Sequence, residues 1–120
     1  MEILTLSPTD PQWQAVVDFR ENCHWIVEKI NERKHIQQVL IAAIEDSNVL
    51  GFCGFTQASD ASTDALALAT LYIAETARGR GIAGRLMTQA QTYAGAHNIT
   101  SVATPDAVKS IFEKYGFAVV

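Results

Sequence analysis

Residues 71–87 read LYIAETARGRGIAGRLM. An apolar stretch leads through a turn rich in glycine and arginine into a segment with the apolar spacing of an amphipathic helix. Glycines let a backbone turn tightly and approach a ligand closely, and the free N–H groups of a first helical turn bind anions with the helix dipole behind them. Arg78, Arg80 and Arg85 add positive charge. The pattern predicts a phosphate-binding turn.

Composition limits the classes of protein to be considered. The 120 residues are 48% hydrophobic and 18% charged, which predicts one domain over residues 1–120. Nine Lys and Arg against thirteen Asp and Glu give a net charge of −4, and this argues against nucleic-acid binding. The start of the chain lacks the basic and apolar regions of a signal peptide, and no apolar run is long enough to span a bilayer. We therefore expect a cytoplasmic protein without a membrane partner.

The two cysteines, Cys23 and Cys53, lie in apolar segments without metal-ligand spacing. Isolated cysteines of this kind are typical of buried, reduced thiols in a cytosolic protein. The sequence accordingly predicts neither a disulfide framework nor a metal site.

The hydrophobic pattern predicts an alternation of strands and helices. Asp10 and Thr104 each precede a proline and are predicted to cap helices, whereas Asn98 and Gly116 are predicted to end them. The three middle strands are expected to form an antiparallel meander. The predicted elements are a strand at 3–6, one or two helices at 13–30, strands at 38–44, 49–58 and 65–73, a helix at 83–97, a strand at 99–103, a helix at 105–115 and a strand at 117–120.

Two known phosphate-binding motifs resemble the turn only in spacing. Gly79, Gly81 and Gly84 match G-x-G-x-x-G, and Asp106 follows at about the distance of a ribose-binding acid. A dinucleotide fold, however, needs parallel strand–helix–strand units, whereas this turn follows an antiparallel meander. The P-loop motif requires lysine and a hydroxyl residue where this chain has Arg85 and Leu86. Dinucleotide binding is therefore a distant alternative.

Two blocks of the sequence resemble one known family. Arg78-Gly79-Arg80-Gly81-Ile82-Ala83 resembles the (Gln/Arg)-x-x-Gly-x-(Gly/Ala) pyrophosphate motif of the GNAT superfamily of N-acetyltransferases. A second block, from Thr104-Pro105-Asp106-Ala107 to Tyr115-Gly116-Phe117, resembles the later helix of that family with its terminal Gly-Phe. The order of elements matches as well, so the resemblance covers essentially the whole chain.

The resemblance implies an α+β fold with a mixed, mostly antiparallel central sheet flanked by helices. Relatives usually continue from Gly-Phe into two strands, whereas this sequence ends at Val120, so the final strands are expected to be truncated. Because an unpaired apolar edge favours association, a second copy of the chain is expected to cover it in a homodimer.

The resemblance also implies acetyl-CoA as co-substrate. In such proteins the strand before the turn parts from the next strand, and the pantetheine arm lies in the resulting cleft. The pyrophosphate is expected on the N–H groups of the turn, with the arginines screening its charge. The residues assigned to acetyl-CoA in this way are Leu71, Tyr72, Ile73, Arg78, Gly79, Arg80, Gly81, Ile82, Ala83, Gly84, Arg85 and Thr104.

The implied reaction is direct attack by a primary amine, carried by a small molecule or a peptide, on the thioester. Positioning and polarisation of the carbonyl by a backbone N–H near Tyr72 or Ile73 are expected to provide most of the rate. Many relatives have a tyrosine acid four residues before the Gly-Phe glycine, but this chain has Phe112 there.

Other side chains are therefore candidates for acid–base catalysis. They are Glu75, Tyr115 and His24, with Glu21 and His97 as further possibilities. Tyr115 lies about 300° around the helix from Phe112, so it is not a simple replacement for the missing tyrosine. Two functions stay open: an N-acetyltransferase, and a non-catalytic acyl-CoA-binding module that retains the turn.

Overall fold

A six-stranded sheet forms the centre of the computed structural model, which describes residues 1–19, 37–57 and 66–120. The strands lie side by side in chain order; β1 to β4 are antiparallel neighbours, whereas β5 is parallel to β4 and β6 is parallel to β5. This arrangement confirms the predicted α+β fold with a mostly antiparallel sheet. The strands are β1 Glu2–Leu6, β2 Gln37–Glu45, β3 Asn48–Gln57, β4 Leu66–Ile73, β5 Ser101–Ala103 and β6 Ala118–Val119.

Helices cover both faces of the sheet in the described part of the chain. They are α1 Trp13–Val17, α2 Ile82–Ala96 and α3 Lys109–Lys114, with 3₁₀ turns at Glu75–Ala77 and Asp106–Val108. The long helix α2 packs Leu86 and Met87 against the face that carries Cys53, Phe55 and Leu71. The short helix α1 packs its buried residues against the opposite face, and that cluster consists of Leu6, Trp13, Val16, Val17, Leu40, Ala42 and Phe52.

The turn between β2 and β3 has a specific backbone shape. Asp46 and Ser47 both have positive φ angles, of 50° and 67°. Two central residues with φ above zero are typical of a type I′ turn, whose twist matches that of an antiparallel hairpin. The turn joins the two strands predicted at 38–44 and 49–58, and it places Glu45 at the tip of the hairpin opposite Asn48.

The predicted helix starts are wrong at both prolines. The Asp10 carboxylate accepts a hydrogen bond from the Ser7 N–H at 2.6 Å, and α1 starts at Trp13 after Gln12. The Asp10 side chain therefore stabilises the turn over residues 7–10 and does not cap α1. A short acidic side chain can bond to a backbone N–H that precedes it or to one that follows it. Thr104 likewise makes no capping hydrogen bond, since the 3₁₀ turn there begins after Pro105.

The predicted helix ends are confirmed. Asn98 has a φ of 57° and Gly116 a φ of 91°. The Ile99 N–H bonds to the Ala94 carbonyl at 2.9 Å, and the Phe117 N–H bonds to the Phe112 carbonyl at 3.1 Å. Both contacts follow the left-handed C-terminal motif that satisfies the last helical carbonyls.

Several predictions concern residues outside the described ranges. These are the part of the predicted helical segment beyond Phe19, with Glu21, Cys23 and His24, and residues 58 and 65 at the ends of two predicted strands. Cys53 lies within the described residues, where it is a free, fully buried thiol whose pKa is raised by burial. Within the described residues, no helix has both the length and the apolar character required to cross a membrane.

Gly51 allows β3 and β4 to approach closely beside the end of β4. A Cβ atom at this position would lie 2.7 Å from the Tyr72 carbonyl oxygen and 2.7 Å from Ile73 Cδ1. Because the first contact is with backbone, Gly51→Ala is expected to destabilise the protein by about 1–3 kcal/mol. Urea unfolding measures this, with Gly95→Ala as the matched control because a Cβ there meets nothing within 4 Å. Equal stability of the two variants would contradict the close approach.

Candidate active site

A gap opens between β4 and β5 at the end of the sheet that leads to the glycine-rich turn. The two strands pair only where Leu66, Ala67 and Leu68 lie opposite Ser101, Val102 and Ala103. β4 then continues to Ile73, whereas β5 ends at Ala103. Within the described ranges, the last five residues of β4 therefore have a strand partner on the β3 side only.

The hydrogen-bond pattern shows which backbone groups of β4 face this gap. The Ala74 N–H donates to the Leu50 carbonyl at 2.8 Å. Because hydrogen-bonded and non-hydrogen-bonded pairs alternate along an antiparallel ladder, Tyr72 bonds towards β3 while Leu71 and Ile73 direct their N–H and C=O groups away from it. Of the two N–H groups considered for carbonyl polarisation, only that of Ile73 therefore faces the gap.

The glycine-rich turn leaves the start of α2 open to an anion. Gly79 and Gly81 have positive φ angles of 84° and 76°, and Gly81 is the residue that precedes the helix. No side chain of the described residues caps this end, and its first turn contains no acidic residue. The first helical backbone contact runs from Arg85 N–H to the Gly81 carbonyl at 3.3 Å. The N–H groups of Ile82, Ala83 and Gly84 precede it and have no partner in the described part of the chain, so they are available to a ligand.

The three arginines have different surroundings. The Arg78 Nε donates to the Ile73 carbonyl at 3.1 Å, and its guanidinium lies 5.6 Å from the centre of the Tyr72 ring. Arg80 pairs with Glu45 through Nη2, at 3.0 Å from Oε2 and 3.3 Å from Oε1. Arg85 is exposed and forms no ion pair within the described part of the chain. Arg78 therefore connects the turn to the edge of β4 that borders the gap.

Glu45 is a neighbour of the turn that the sequence did not reveal. It lies 35 residues before Arg80, at the tip of the β2–β3 hairpin, and no local pattern links the two. The hydrogen bond and the positive charge of Arg80 lower the pKa of the Glu45 carboxyl below its ordinary value. The contact is exposed to solvent, so its contribution to stability is small and falls as salt rises.

Replacing Arg80 with glutamine is expected to raise the pKa of Glu45 towards the ordinary carboxyl value. The carboxylate then loses both a charge-assisted hydrogen bond and a nearby cation, each of which favours its ionised form. The ion pair itself is complete above the ordinary carboxyl pKa and is lost as the pH falls through the lowered one. A carbon-13 NMR titration of Glu45 in both proteins measures the change. An unchanged titration in the Arg80→Gln variant would show that the contact is not formed in solution.

A buried hydroxyl without a partner lies where β5 leaves the sheet. The Thr104 Oγ1 is enclosed and forms no hydrogen bond with the described residues. The same holds for the Tyr72 hydroxyl on the neighbouring strand. An enclosed hydroxyl without a partner costs roughly 1–3 kcal/mol, so a ligand group that bonds to it is favoured. Thr104, predicted to contact the cofactor, therefore presents an unused hydrogen-bonding atom directly after the last paired residue of β5, Ala103.

The candidate acid–base residues that the structure describes are not gathered at the gap, whereas Glu21 and His24 lie outside the described ranges. Glu75 begins the 3₁₀ turn, is exposed, and forms no ion pair within the described residues. His97 lies at the C-terminal end of α2, about 22 Å along the helix from its start. Tyr115 directs its hydroxyl to the first turn of α2, where a Cβ on Gly84 would lie 3.0 Å from it.

Phe112 is a core residue. Its side chain is fully buried, with ring centres 5.3 Å from Phe117 and 6.4 Å from Phe55. The position that carries a tyrosine in many relatives therefore contributes to packing in this chain and provides no proton donor.

The sequence matches the model of a known protein family. The family described as "Acetyltransferase (GNAT) domain" matches residues 35–119. The matched region contains the strands β2 to β6, the glycine-rich turn and the Gly-Phe end of α3. No match is found among curated protein sequences.

Comparison with solved structures supports the same fold. The structure of Tetrahymena GCN5 has a TM-score of 0.72 at 16% identity, over 96% of this chain and 78% of that one. A ribosomal-protein-alanine N-acetyltransferase from Brucella melitensis biovar Abortus 2308 has a TM-score of 0.62 at 18% identity, over 98% and 91%. The aminoglycoside N-acetyltransferase AAC(6')-Iy, solved in complex with CoA, has a TM-score of 0.61 at 15% identity, over 97% and 90%. At such identities the likeness shows the fold.

Proposed function

Because the matched region covers more than half of its sequence, the chain belongs to the GNAT acetyltransferase family, and we propose that it transfers an acetyl group from acetyl-CoA to a primary amine. The whole chain acts as a single acetyl-CoA-binding domain in this proposal. The observation that carries it is the coincidence of two features at one end of the sheet. They are the gap beside Leu71 and Ile73 and the uncapped start of α2.

The residues at this end of the sheet fit the two polar parts of acetyl-CoA. The N–H groups of Ile82, Ala83 and Gly84 suit a pyrophosphate, because they are unpaired and lie at the positive end of a 15-residue helix. The free N–H and C=O of Leu71 and the N–H of Ile73 suit the amide groups of a pantetheine arm, and Thr104 directly follows β5 on the other side of the gap. Acetyl-CoA is accordingly the co-substrate.

The chemistry supplied by the co-substrate is a thioester whose carbonyl carbon accepts the amine and whose thiol leaves. The chain's own contribution is mainly positioning and electrostatic stabilisation. The Ile73 N–H faces the gap and donates a hydrogen bond to the oxygen on which negative charge develops. Arg78 holds the Ile73 carbonyl at 3.1 Å and so fixes the orientation of the strand end beside that N–H.

Proton transfer is assigned to solvent in this proposal. The attacking amine must lose a proton, and water is a sufficient acceptor for it. Among the acid–base candidates, Glu75 is the closest to Ile73 along the chain and begins the 3₁₀ turn that follows β4. His24 lies outside the described residues. A thiolate is a weakly basic leaving group, so a tyrosine at position 112 is not essential for transfer.

The burial of Phe112 supports a second candidate function. A chain without the tyrosine acid can act as an acyl-CoA-binding module that holds the thioester without transferring it. Release of thiol from acetyl-CoA in the presence of a panel of small amines, polyamines and lysine peptides distinguishes the two functions. Amine-dependent release supports the enzyme. CoA binding without release from any of these acceptors would support the module.

We also propose that two copies associate through the edge of the sheet. Within the described ranges β6 pairs with β5 on one side and has no strand on the other, and Val120 is 77% exposed. An unpaired edge with an apolar residue favours pairing with another strand. Size-exclusion chromatography with light scattering at low micromolar concentration measures the mass, and a clean monomer would contradict this arrangement.

A cytoplasmic location also stays a prediction, in keeping with the free thiol of Cys53.

A further inference from the structure

We infer that Tyr115 is a cofactor-binding residue whose hydroxyl donates a hydrogen bond to a phosphate group of CoA beside the first turn of α2. The inference rests on the proposed function, because it assumes that CoA binds there. It differs from the sequence-based hypothesis, in which Tyr115 was a candidate for the catalytic acid.

Two contacts fix the course of the Tyr115 side chain along α2. Its main-chain carbonyl accepts a hydrogen bond from the Gln91 Nε2 at 2.8 Å. Its hydroxyl lies 3.0 Å from the position of a Cβ atom on Gly84. Gln91 and Gly84 are seven residues apart, or about 10 Å along a helix. The tyrosine therefore extends along the helix towards its N-terminal end.

The ring and the hydroxyl of Tyr115 have different surroundings. The ring is half-buried and packs against the core cluster that includes Phe112 and Leu86. The hydroxyl forms no hydrogen bond with any side chain or backbone group in the described ranges, yet it is not among the enclosed groups. Packing alone is served equally well by phenylalanine. The hydroxyl is therefore the part of the side chain that is accessible to a ligand.

The position of the hydroxyl matches the chemistry of the site. A phenol is a neutral O–H donor, and its bond to an anionic phosphate oxygen is stronger than a bond between neutral groups. It lies beside Gly84, one of the three residues with a free N–H at the start of α2. The missing side chain at Gly84 is what allows the close approach, since a methyl group there would contact the oxygen at 3.0 Å. The hydroxyl and the helix end thus offer hydrogen-bond donors close to one residue, Gly84.

The direct test is the affinity of Tyr115→Phe for CoA, measured by isothermal titration calorimetry at fixed salt. Removing one hydrogen bond to a charged group is expected to weaken CoA binding about tenfold. Dephospho-CoA, which lacks the 3′-phosphate, identifies the phosphate involved. An equal loss for both ligands indicates the pyrophosphate, and a loss for CoA alone indicates the 3′-phosphate. Thermal unfolding without ligand should change little, because the ring is retained.

Gly84→Ala tests the same contact from the helix. In the parent protein the added methyl group displaces the hydroxyl and is expected to weaken CoA binding several-fold. In the Tyr115→Phe background the oxygen is gone, so the same substitution should have a smaller effect, and the two changes are coupled. Gly95→Ala on the same helix is the matched control, because its Cβ meets nothing within 4 Å and CoA affinity should not change.

Three results separate this inference from the proposed function. If the parent protein does not bind CoA, the proposed function fails. If the parent binds CoA, and Tyr115→Phe binds CoA and dephospho-CoA as tightly as the parent does, only the assignment of Tyr115 is overturned. A Tyr115→Phe variant that keeps its CoA affinity but loses turnover with an accepted amine would overturn the cofactor-binding role in favour of a catalytic role.

Discussion

Replacing Gly81 with glutamate is expected to weaken CoA binding by at least about a hundredfold, which is roughly 2.7 kcal/mol. Gly81 directly precedes α2, where three N–H groups and the helix dipole attract an anion. A carboxylate at this point repels the pyrophosphate and occupies the space through which it approaches. Calorimetric titration of CoA into the folded variant measures the loss.

Two controls separate charge from strain in this experiment. Gly81 has a φ of 76°, a conformation that side chains rarely adopt, so any substitution introduces strain. Gly81→Ala carries the same strain without the charge and is expected to lose less affinity. Gly95→Glu adds the same charge to α2 at a position with open space and is expected to bind CoA as the parent does. A folded Gly81→Glu variant with parental affinity would place the ligand elsewhere.

Replacing Phe112 with alanine is expected to destabilise the protein by about 3–5 kcal/mol, the usual range for a fully buried phenylalanine. The ring is entirely enclosed and contacts Phe55 and Phe117, so its removal leaves a cavity between α3 and the sheet. The free energy of unfolding in urea measures the change.

The neighbouring Ile111 is the matched control for this substitution. It is only half-buried, so Ile111→Ala should cost clearly less than Phe112→Ala in the same helix. A cost below about 1 kcal/mol for Phe112→Ala would show that the ring is not part of the core. In that case the loss of the tyrosine acid at this position would no longer be explained by a packing role.

The features that the sequence predicted correctly depend on local rules. The positive φ angles of Asn98 and Gly116 end their helices as predicted, because only residues that tolerate the left-handed conformation suit such ends. The strands of the meander follow from runs of apolar and β-branched residues. The predicted cap at Asp10 was wrong because its carboxylate bonds to the Ser7 N–H instead. The predicted cap at Thr104 was wrong because the 3₁₀ turn begins after Pro105, which leaves the threonine hydroxyl without a partner in the described residues. Proline spacing alone does not determine where the first turn begins.

The contacts that define the candidate site mostly join residues far apart in the chain, and sequence patterns could not predict them. The pairing of Arg80 with Glu45 depends on how the β2–β3 hairpin lies beside the turn. The register of β3 and β4 determines that the backbone N–H of Ile73, and not that of Tyr72, faces the gap. A slip of one residue would reverse this. The approach of Tyr115 to Gly84 depends on the packing of α3 against α2.

The most direct test of the account is thermal unfolding of the protein with acetyl-CoA, CoA and NAD in parallel. A ligand that binds the folded state raises the melting temperature by mass action, so the three curves report binding without any knowledge of the acceptor. We predict a clear rise with acetyl-CoA and with CoA, and little or none with NAD. Stabilisation by NAD alone would contradict the account, because it would make the turn after β4 a dinucleotide site.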